Sequence, residues 1–416
     1  MAERVVEIGE KVNPQILVWA RETAGLEEEE AASRISLGSS KSSSSLDRLR
    51  ELESGQRLPT RKQLEEISKL YRRPLLTFYR STQPPKGDRG KDFRTTSSEL
   101  TKRENALLDA LIRNIKARQG MLATVLEDDE EHVDRPFVGS CSLADGVAFV
   151  ANRIADDLRF SEIQRKTGAV DEFFNTLRGH VEALGVFVLL IGDLGSHHSS
   201  MSEQVFRGFT LADPVAPFII INDRDAKIAR PFTLLHELTH IYLGESAISG
   251  PDEQDHPHST YPAIEKFCDE VAGHILLPAD ALSSAKTGVN LRDQTAVLQY
   301  ITTIADRWVV SGPLIAYRLR QMNLISAPLY SQLRRVFSDR WNSYKSREKE
   351  PSQGGPSYYV VRTHRLGRTL IDTVRRAMRE NRLTHTKAAA ILGVKPSSIE
   401  NLFAPQTRSS SRREVA

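Results

Sequence analysis

Two histidines four residues apart, with a glutamate directly after the first, form the segment of this chain best suited to chemistry. The segment reads His236-Glu237-Leu238-Thr239-His240. Residues four apart lie on one face of an α-helix, so both imidazole rings can bind the same metal ion. In this pattern the histidines bind zinc, and the glutamate lies beside a metal-bound water as its general base. A surface helix with two solvated histidines is the alternative that these five residues leave open.

A zinc site needs at least one more protein ligand, and the segment from 264 to 278 offers it. Apolar residues recur there at helical spacing and predict a helix with one buried face. Glu265 and Asp269 lie one turn apart on a neighbouring face. Glu265 can therefore bind the metal, while Asp269 accepts a hydrogen bond from the far ring nitrogen of a ligand histidine. No fourth protein ligand is evident, which argues against a closed structural zinc site.

Together the two motifs resemble the ImmA/IrrE family of zinc metallo-endopeptidases, over about residues 145–328. The resemblance implies that His236, His240 and Glu265 bind zinc and that Glu237 is the base. Members of this family are cytoplasmic proteases, often encoded with or fused to a helix-turn-helix repressor that they cleave under stress. The resemblance rests on Arg230-Pro231-Phe232-Thr233 before the histidines, and on Glu265, Asp269, Ala272 and Leu276-Leu277-Pro278 after them.

Such a site is suited to peptide hydrolysis. Zinc acidifies a bound water and polarises the peptide carbonyl, and Glu237 takes the water proton and passes it to the leaving amine. A further cation or hydroxyl usually stabilises the oxyanion. Its candidates lie between the two motifs: His256, His258 and Tyr261. The predicted strand at 218–222 is a candidate for holding an extended peptide by strand addition beside the metal.

Three strands and one helix are predicted to position the histidines. The strands at 186–191, 205–211 and 218–222 are separated by Gly, Asp, Ser or Pro residues. The helix at 232–242 follows directly, with Gly244 as a stop signal. The expected fold class is α+β and helix-dominated. It combines a zincin-like metallopeptidase domain containing a small antiparallel sheet with flanking helical, helix-turn-helix-like domains.

The 416 residues are expected to form several domains, because one hydrophobic core rarely serves so long a chain. No apolar run approaches membrane-spanning length, and the first twenty residues are too charged for a secretory signal. With two cysteines, Cys141 and Cys268, a disulfide framework is not expected, and a reducing cytoplasm is the expected location. Four regions are predicted: a helix-turn-helix-like domain (1–83), a connecting helix and linker (84–139), the peptidase-like domain (140–328) and a basic C-terminal region (329–416).

The N-terminal residues 13–79 resemble the XRE (Cro/repressor-like) helix-turn-helix family. Segment 17–26 fits the first helix and turn, and segment 53–60 fits the stretch after the recognition helix. The resemblance implies that a helix near 43–52 enters the major groove. The run Glu27 to Glu30 repels phosphate, so a helical domain that docks on another protein is the alternative. The candidate DNA contacts are Ser44, Ser45, Arg48 and Arg50.

A second helix-turn-helix-like segment is predicted at about 365–403. Residues 384–394 indicate a helix and a turn at Gly393, and residues 395–402 indicate the following helix. Its candidate DNA contacts are Lys395, Ser397 and Ser398.

The charge is unevenly distributed along the chain. Residues 330–416 carry 18 Lys or Arg against 7 Asp or Glu, whereas the remaining residues carry 39 against 47. A basic end of this kind favours a polyanionic partner, most plausibly nucleic acid. The alternatives are a solvated basic tail and a packing subdomain that happens to be basic.

These observations predict a zinc-dependent regulatory endopeptidase that cleaves a protein, with a helix-turn-helix repressor as the expected substrate and DNA as a candidate second partner. One alternative is a DNA-binding regulator whose zinc domain senses metal without turnover. Another is a toxin–antitoxin or immunity partner that acts by binding. The complete motif with both downstream carboxylates favours an enzyme, because a non-catalytic scaffold needs no base at Glu237.

Overall fold

The computed structural model describes residues 11–38, 43–84, 91–92, 100–129, 134–166, 169–249, 263–283, 288–347 and 357–404. The chain divides into two compact units. The first comprises Met1–Arg89, Thr96–Ile115 and Asp193–Met201, and the second comprises Gly90–Thr95, Lys116–Gly192 and Ser202–Ala416. The four regions expected from the sequence remain a prediction.

The chain forms helices over most of its described length, as the sequence predicts. Their bounds are α1 (Pro14–Thr23), α2 (Glu28–Arg34), α3 (Ser45–Glu53), α4 (Arg61–Tyr71), α5 (Lys102–Glu127), α6 (Val147–Asp157), α7 (Phe160–Lys166), α8 (Val170–Ala183), α9 (Arg230–Tyr242), α10 (Ala263–Leu276), α11 (Gln294–Trp308), α12 (Gly312–Gln321), α13 (Ala327–Arg347), α14 (Tyr358–Leu366), α15 (Arg368–Arg379), α16 (His385–Leu392) and α17 (Ile399–Phe403). No helix in the described part of the chain combines the length and the apolar character that a bilayer crossing requires.

In the first unit, α1 to α4 and a 3-10 helix (Leu75–Tyr79) enclose one apolar core. Local sequence signals define the ends of two of these helices. Ser44 and Asp47 form a reciprocal capping box at the start of α3, and Thr60 and Gln63 do the same for α4. Helix α3 is the helix that the sequence predicted near 43–52.

The second unit contains a five-stranded sheet. Its strands are β1 (Lys91–Asp92), β2 (Phe187–Leu190), β3 (Gly208–Leu211), β4 (Phe218–Ile221) and β5 (Ala247–Ser249), in the spatial order β1-β5-β3-β4-β2. The three predicted strands are present within their predicted ranges, each shortened. The fold is helix-dominated α+β, as expected.

The sheet is mixed rather than purely antiparallel. Strand β3 runs antiparallel to β4 and β5, but β2 is parallel to β4 and β1 is parallel to β5. Strand β4 therefore has a neighbour on each side. This corrects the expectation that the strand at 218–222 accepts a peptide by strand addition, because both of its hydrogen-bonding edges are already paired.

One face of the sheet and helices α8, α9 and α10 share the main core of the second unit. Strand residues with alternating numbers point toward this core, including Val188 and Leu190 of β2 and Ile219 and Ile221 of β4. Leu234 and Leu238 of α9 pack in the same cluster. The sheet thus supports the helix that carries both histidines.

Two of the C-terminal helices lie against this part of the second unit, because α14 contacts β2 and α15 contacts α8. Arg178 and Glu182 of α8 form a buried ion pair with an Nε–Oε1 distance of 2.8 Å. Arg178 donates hydrogen bonds to the carbonyl oxygens of Val188 and His364, and Glu182 accepts one from the backbone of Thr369. A buried ion pair of α8 therefore links β2 to the last turn of α14 and the first turn of α15.

Several cations of the basic C-terminal region have partners within the second unit. Arg365 pairs with Asp223 at 2.6 Å, and Arg375 donates to the carbonyl oxygen of Phe403. Arg382 donates to the carbonyl oxygen of Val125 on α5. Some of the arginines of this basic region thus stabilise the packing of its helices, in agreement with the alternative of a basic packing subdomain.

Candidate metal centre

Helix α9 begins with Pro231 in its first turn, where a proline fits without loss of a hydrogen bond. Gly244, with φ +71°, follows its last turn. The helix is buried around nearly its whole circumference. His236 is 4% exposed, and Glu237 and His240 are fully buried. The alternative of two solvated histidines on a surface helix is therefore wrong.

Helix α10 brings the third predicted ligand to the two histidines. His236 Nε2 lies 3.3 Å from Glu265 Oε2, and His240 Nε2 lies 2.9 Å from Glu265 Oε1. The two Nε2 atoms are 3.2 Å apart. Three candidate ligand atoms, one from each residue, all lie within 4.8 Å of one another. The sequence predicted this trio, although α9 and α10 are separated by 20 residues.

The donor set fits a divalent metal ion. Two imidazole nitrogens and one carboxylate form one of the ligand sets found in catalytic zinc sites. Burial favours the neutral form of Glu265, but the charges and hydrogen bonds of His236 and His240 outweigh this effect and lower its pKa to about 2. Glu265 is therefore a carboxylate at neutral pH, as a metal ligand must be.

Each histidine also has a partner at its second ring nitrogen. His236 Nδ1 lies 2.9 Å from Asp269 Oδ1, as the sequence predicted for a carboxylate one turn after Glu265. His240 Nδ1 lies 3.7 Å from the sulfur of Cys268. Sequence reasoning placed Cys268 in the apolar stripe of α10 and missed this contact. Burial, and then the charges of Glu265 and Asp269, raise the pKa of the Cys268 thiol well above its ordinary value, so the thiol is neutral.

The predicted base, Glu237, is held by strand β3. The Thr210 hydroxyl lies 2.7 Å from Glu237 Oε2 and donates a hydrogen bond to it. Oε1 of Glu237 is buried and has no hydrogen-bond partner among the described residues. Burial raises the pKa of Glu237, and the nearby histidines and the Thr210 hydrogen bond oppose this effect. No local sequence signal identifies Thr210, because the contact depends on how β3 packs against α9.

A second close approach involves Gly208 of the same strand. A Cβ atom at this position would lie 2.6 Å from Glu237 Oε1 and 2.9 Å from Thr233 Cγ2. Only glycine therefore lets β3 lie this close to the carboxylate. The three candidate oxyanion stabilisers, His256, His258 and Tyr261, lie outside the described residues.

The N-terminal candidates for DNA contact all have partners inside the first unit. Arg50 Nε pairs with Glu28 Oε2 at 2.7 Å, and Arg48 donates to the carbonyl oxygen of Leu37 at 2.8 Å. Ser45 donates to the carbonyl oxygen of Gly38. Ser44 caps helix α3. These contacts compete with phosphate binding.

The C-terminal candidates lie together at a 3-10 helix (Pro396–Ser398) that directly precedes α17, with Lys395 as its N-cap. Lys395 and Ser397 are exposed, and Ser398 is partly exposed. Thr384 caps α16, and Gly393 adopts a left-handed conformation with φ +62° at its end. The predicted helix and turn are therefore present, whereas DNA binding remains a prediction.

Residues 186–320 match the peptidase M78 family model, described as the IrrE N-terminal-like domain. The matched segment runs from the start of β2 to near the end of α12, and it contains His236, Glu237, His240 and Glu265. No curated protein and no solved structure matches the chain. The family match and the buried histidine–glutamate cluster support a metallopeptidase of the IrrE/ImmA type. The match does not extend to the two helix-turn-helix-like regions.

Proposed function

We propose that this chain is a zinc-dependent endopeptidase in which His236, His240 and Glu265 bind the metal and Glu237 is the general base. One observation carries the proposal. Two imidazole nitrogens and a carboxylate oxygen meet within 4.8 Å in a buried site, directly beside a glutamate that has one oxygen without a hydrogen-bond partner among the described residues. A purely structural metal site has no need for a second buried carboxylate beside its ligands.

A zinc ion at these ligands would supply Lewis acidity and a water of lowered pKa. Glu237 is arranged to move a proton. Its Oε2 is fixed by Thr210, whereas its Oε1 has no hydrogen-bond partner in the described part of the chain. Oε1 can therefore accept a proton and return it to the leaving amine. Because burial raises the pKa of Glu237, its protonated form is easier to reach than that of an exposed glutamate.

The Glu237→Gln variant tests this proposal. We expect cleavage to fall by a factor of about 100 to 10,000, because the amide cannot accept the proton. Zinc content should be unchanged, since the substitution leaves all three ligands in place. The test compares zinc-loaded wild type and variant on unfolded casein and on a purified helix-turn-helix repressor encoded nearby, with fragments identified by mass spectrometry.

Glu270→Gln is the matched control. Glu270 lies on α10, and its side chain is 29% exposed and pairs with Lys266, so this variant should cleave like wild type. Cleavage retained in Glu237→Gln would remove Glu237 from the proposed role. A wild-type chain that binds zinc and cleaves neither protein would favour the alternative in which the zinc domain senses metal without turnover.

The finer proposal is that the natural substrate is a helix-turn-helix repressor and that the activity is regulatory. It is supported by the resemblance of the two motifs to the ImmA/IrrE family and by the match to the IrrE N-terminal-like domain. Metal-dependent cleavage of the repressor at one position, with casein left intact, is the outcome we expect. Cleavage of casein alone would retain the peptidase and reject the repressor as substrate.

DNA binding is a second candidate function, and the exposed charges of the C-terminal helices favour it. Four exposed cations there form no ion pair with described residues: Arg368, Arg379, Lys387 and Lys395. On α3 of the N-terminal region, by contrast, Arg48 and Arg50 are already engaged. Phosphate contacts require accessible cations, so the C-terminal helices are the better candidates for them.

A further inference from the structure

One turn of helix α10 contacts both ring nitrogens of both histidines. Glu265 lies next to the two Nε2 atoms, Asp269 contacts Nδ1 of His236, and Cys268 contacts Nδ1 of His240. The two outer contacts come from adjacent residues of α10. The two imidazoles lie one turn apart on α9, so the Nδ1 atom of each ring contacts a different residue of α10.

The Cys268–His240 contact is shielded from water. Both residues are 0% exposed, so no bulk solvent can replace the sulfur as a partner of the ring nitrogen. A neutral imidazole carries one N–H group, and the nitrogen that binds a metal cannot be the one that carries it. If Nε2 of His240 faces the metal, Nδ1 must carry the hydrogen and needs an acceptor.

We propose that Cys268 is a positioning residue for His240, with its sulfur accepting the Nδ1–H hydrogen bond that turns Nε2 toward the metal. This inference rests on the proposed function, because it assigns the Nε2 atom to a metal. The separation of 3.7 Å suits a hydrogen bond to sulfur, which is a larger and weaker acceptor than oxygen.

The two histidine ligands are therefore unequal. His236 is held by a carboxylate, which makes a strong charge-assisted hydrogen bond and raises the basicity of the ring. His240 is held by a neutral thiol, which orients the ring but donates less electron density to it. Loss of Asp269 should consequently weaken metal binding more than loss of Cys268.

The first experiment measures zinc affinity of the full-length chain by competition with a chelator. Cys268→Val fills a similar volume but removes the acceptor, and we expect it to weaken zinc binding about 10-fold. Cys268→Ser keeps an acceptor and should stay within about threefold of wild type, whereas Asp269→Asn should lose closer to 100-fold. Cys141→Val is the matched control, because Cys141 is also buried but contacts none of the three ligands in the described structure.

The second experiment separates positioning from simple packing. In the cobalt-substituted chain, each ligand histidine should give one strongly shifted, exchangeable N–H signal in the proton NMR spectrum. Cys268→Val should lose or broaden the His240 signal and leave the His236 signal in place. If the valine does not fold, Cys268→Ala tests the same loss of acceptor with a smaller side chain.

Unchanged zinc affinity together with two intact N–H signals in Cys268→Val would overturn the positioning role while the metal site stands. A wild-type chain that binds neither zinc nor cobalt would instead overturn the proposed function, and the role of Cys268 with it. The two failures are distinguishable because the wild-type measurement alone decides the second.

Discussion

At the scale of single residues, the two oxygens of Glu237 have different surroundings. Oε2 accepts a hydrogen bond from Thr210, and Oε1 has no partner among the described residues. A carboxylate held by one oxygen keeps the other in a fixed position, which is what a proton acceptor needs. Thr210 is itself only 1% exposed, so water cannot take over its hydrogen bond.

Thr210→Val keeps the shape of this side chain and removes the hydroxyl. We expect cleavage to slow by a factor of about 10 to 150, because a hydrogen bond to a charged group contributes about 1.5 to 3 kcal/mol. Zinc affinity should not change, since Thr210 contacts no ligand. Steady-state rates and zinc titrations of Thr210→Val and Thr210→Ser test this. Equal rates for the two variants would show that the hydroxyl has no role.

At the scale of elements, the site depends on a close contact between β3 and α9. The sequences of β3 and α9 favour a strand and a helix, respectively. Their close contact has a further requirement: position 208 must be glycine, because a Cβ atom there would collide with the Glu237 side chain. Strand β3 is the central strand of the sheet, with β4 and β5 on its two sides. It cannot move away from α9 without disturbing both neighbours.

Gly208→Ala is expected to displace the Glu237 carboxylate, because the new Cβ would lie 2.6 Å from Oε1. We expect cleavage to fall at least 10-fold and the free energy of unfolding to drop by about 1 to 3 kcal/mol. Gly179→Ala is the control. Gly179 is an exposed glycine of α8 whose added Cβ meets nothing within 4 Å, so alanine should raise stability by up to about 1 kcal/mol. Cleavage assays and urea unfolding of both variants test this prediction.

At the scale of the whole molecule, hydrogen bonds that involve buried charged side chains join the C-terminal helices to the rest of the second unit. Buried Arg118 of α5 donates to the carbonyl oxygen of Ile391 at the end of α16. Arg178 of α8 donates to the carbonyl oxygen of His364 in α14, and Glu182 of α8 accepts from the backbone of Thr369 in α15. The basic composition of the C-terminal region therefore does not by itself indicate a nucleic-acid surface, because Arg375 and Arg382 of that region donate to backbone carbonyl oxygens within the second unit.

Arg178→Met should lower the free energy of unfolding by about 3 to 5 kcal/mol, because it leaves Glu182 buried without its partner. The double variant Arg178→Met/Glu182→Leu should lie closer to wild type, since it leaves no unpaired charge. Urea unfolding of the wild type and both variants measures these values. A double variant less stable than Arg178→Met would contradict this account.

Local sequence patterns were sufficient for the two helices that carry the site and for the candidate ligands. The i, i+4 spacing of His236 and His240 and the spacing from Glu265 to Asp269 place side chains on defined helix faces, whatever the rest of the chain does. Strand positions followed from short apolar runs in the same way. These features depend on neighbours within one or two turns, so the sequence alone determines them.

Only the tertiary structure decided strand order and the contacts around the site. Strand pairing joins segments far apart in the chain, and the parallel pairing of β2 with β4 has no local signal. The same holds for Thr210 and Gly208 at Glu237, for Cys268 at His240, and for the arginines that bind backbone carbonyls of distant helices. Each of these contacts depends on how complete helices and strands pack against one another. The residue periodicity within one segment does not indicate which other segment it will contact.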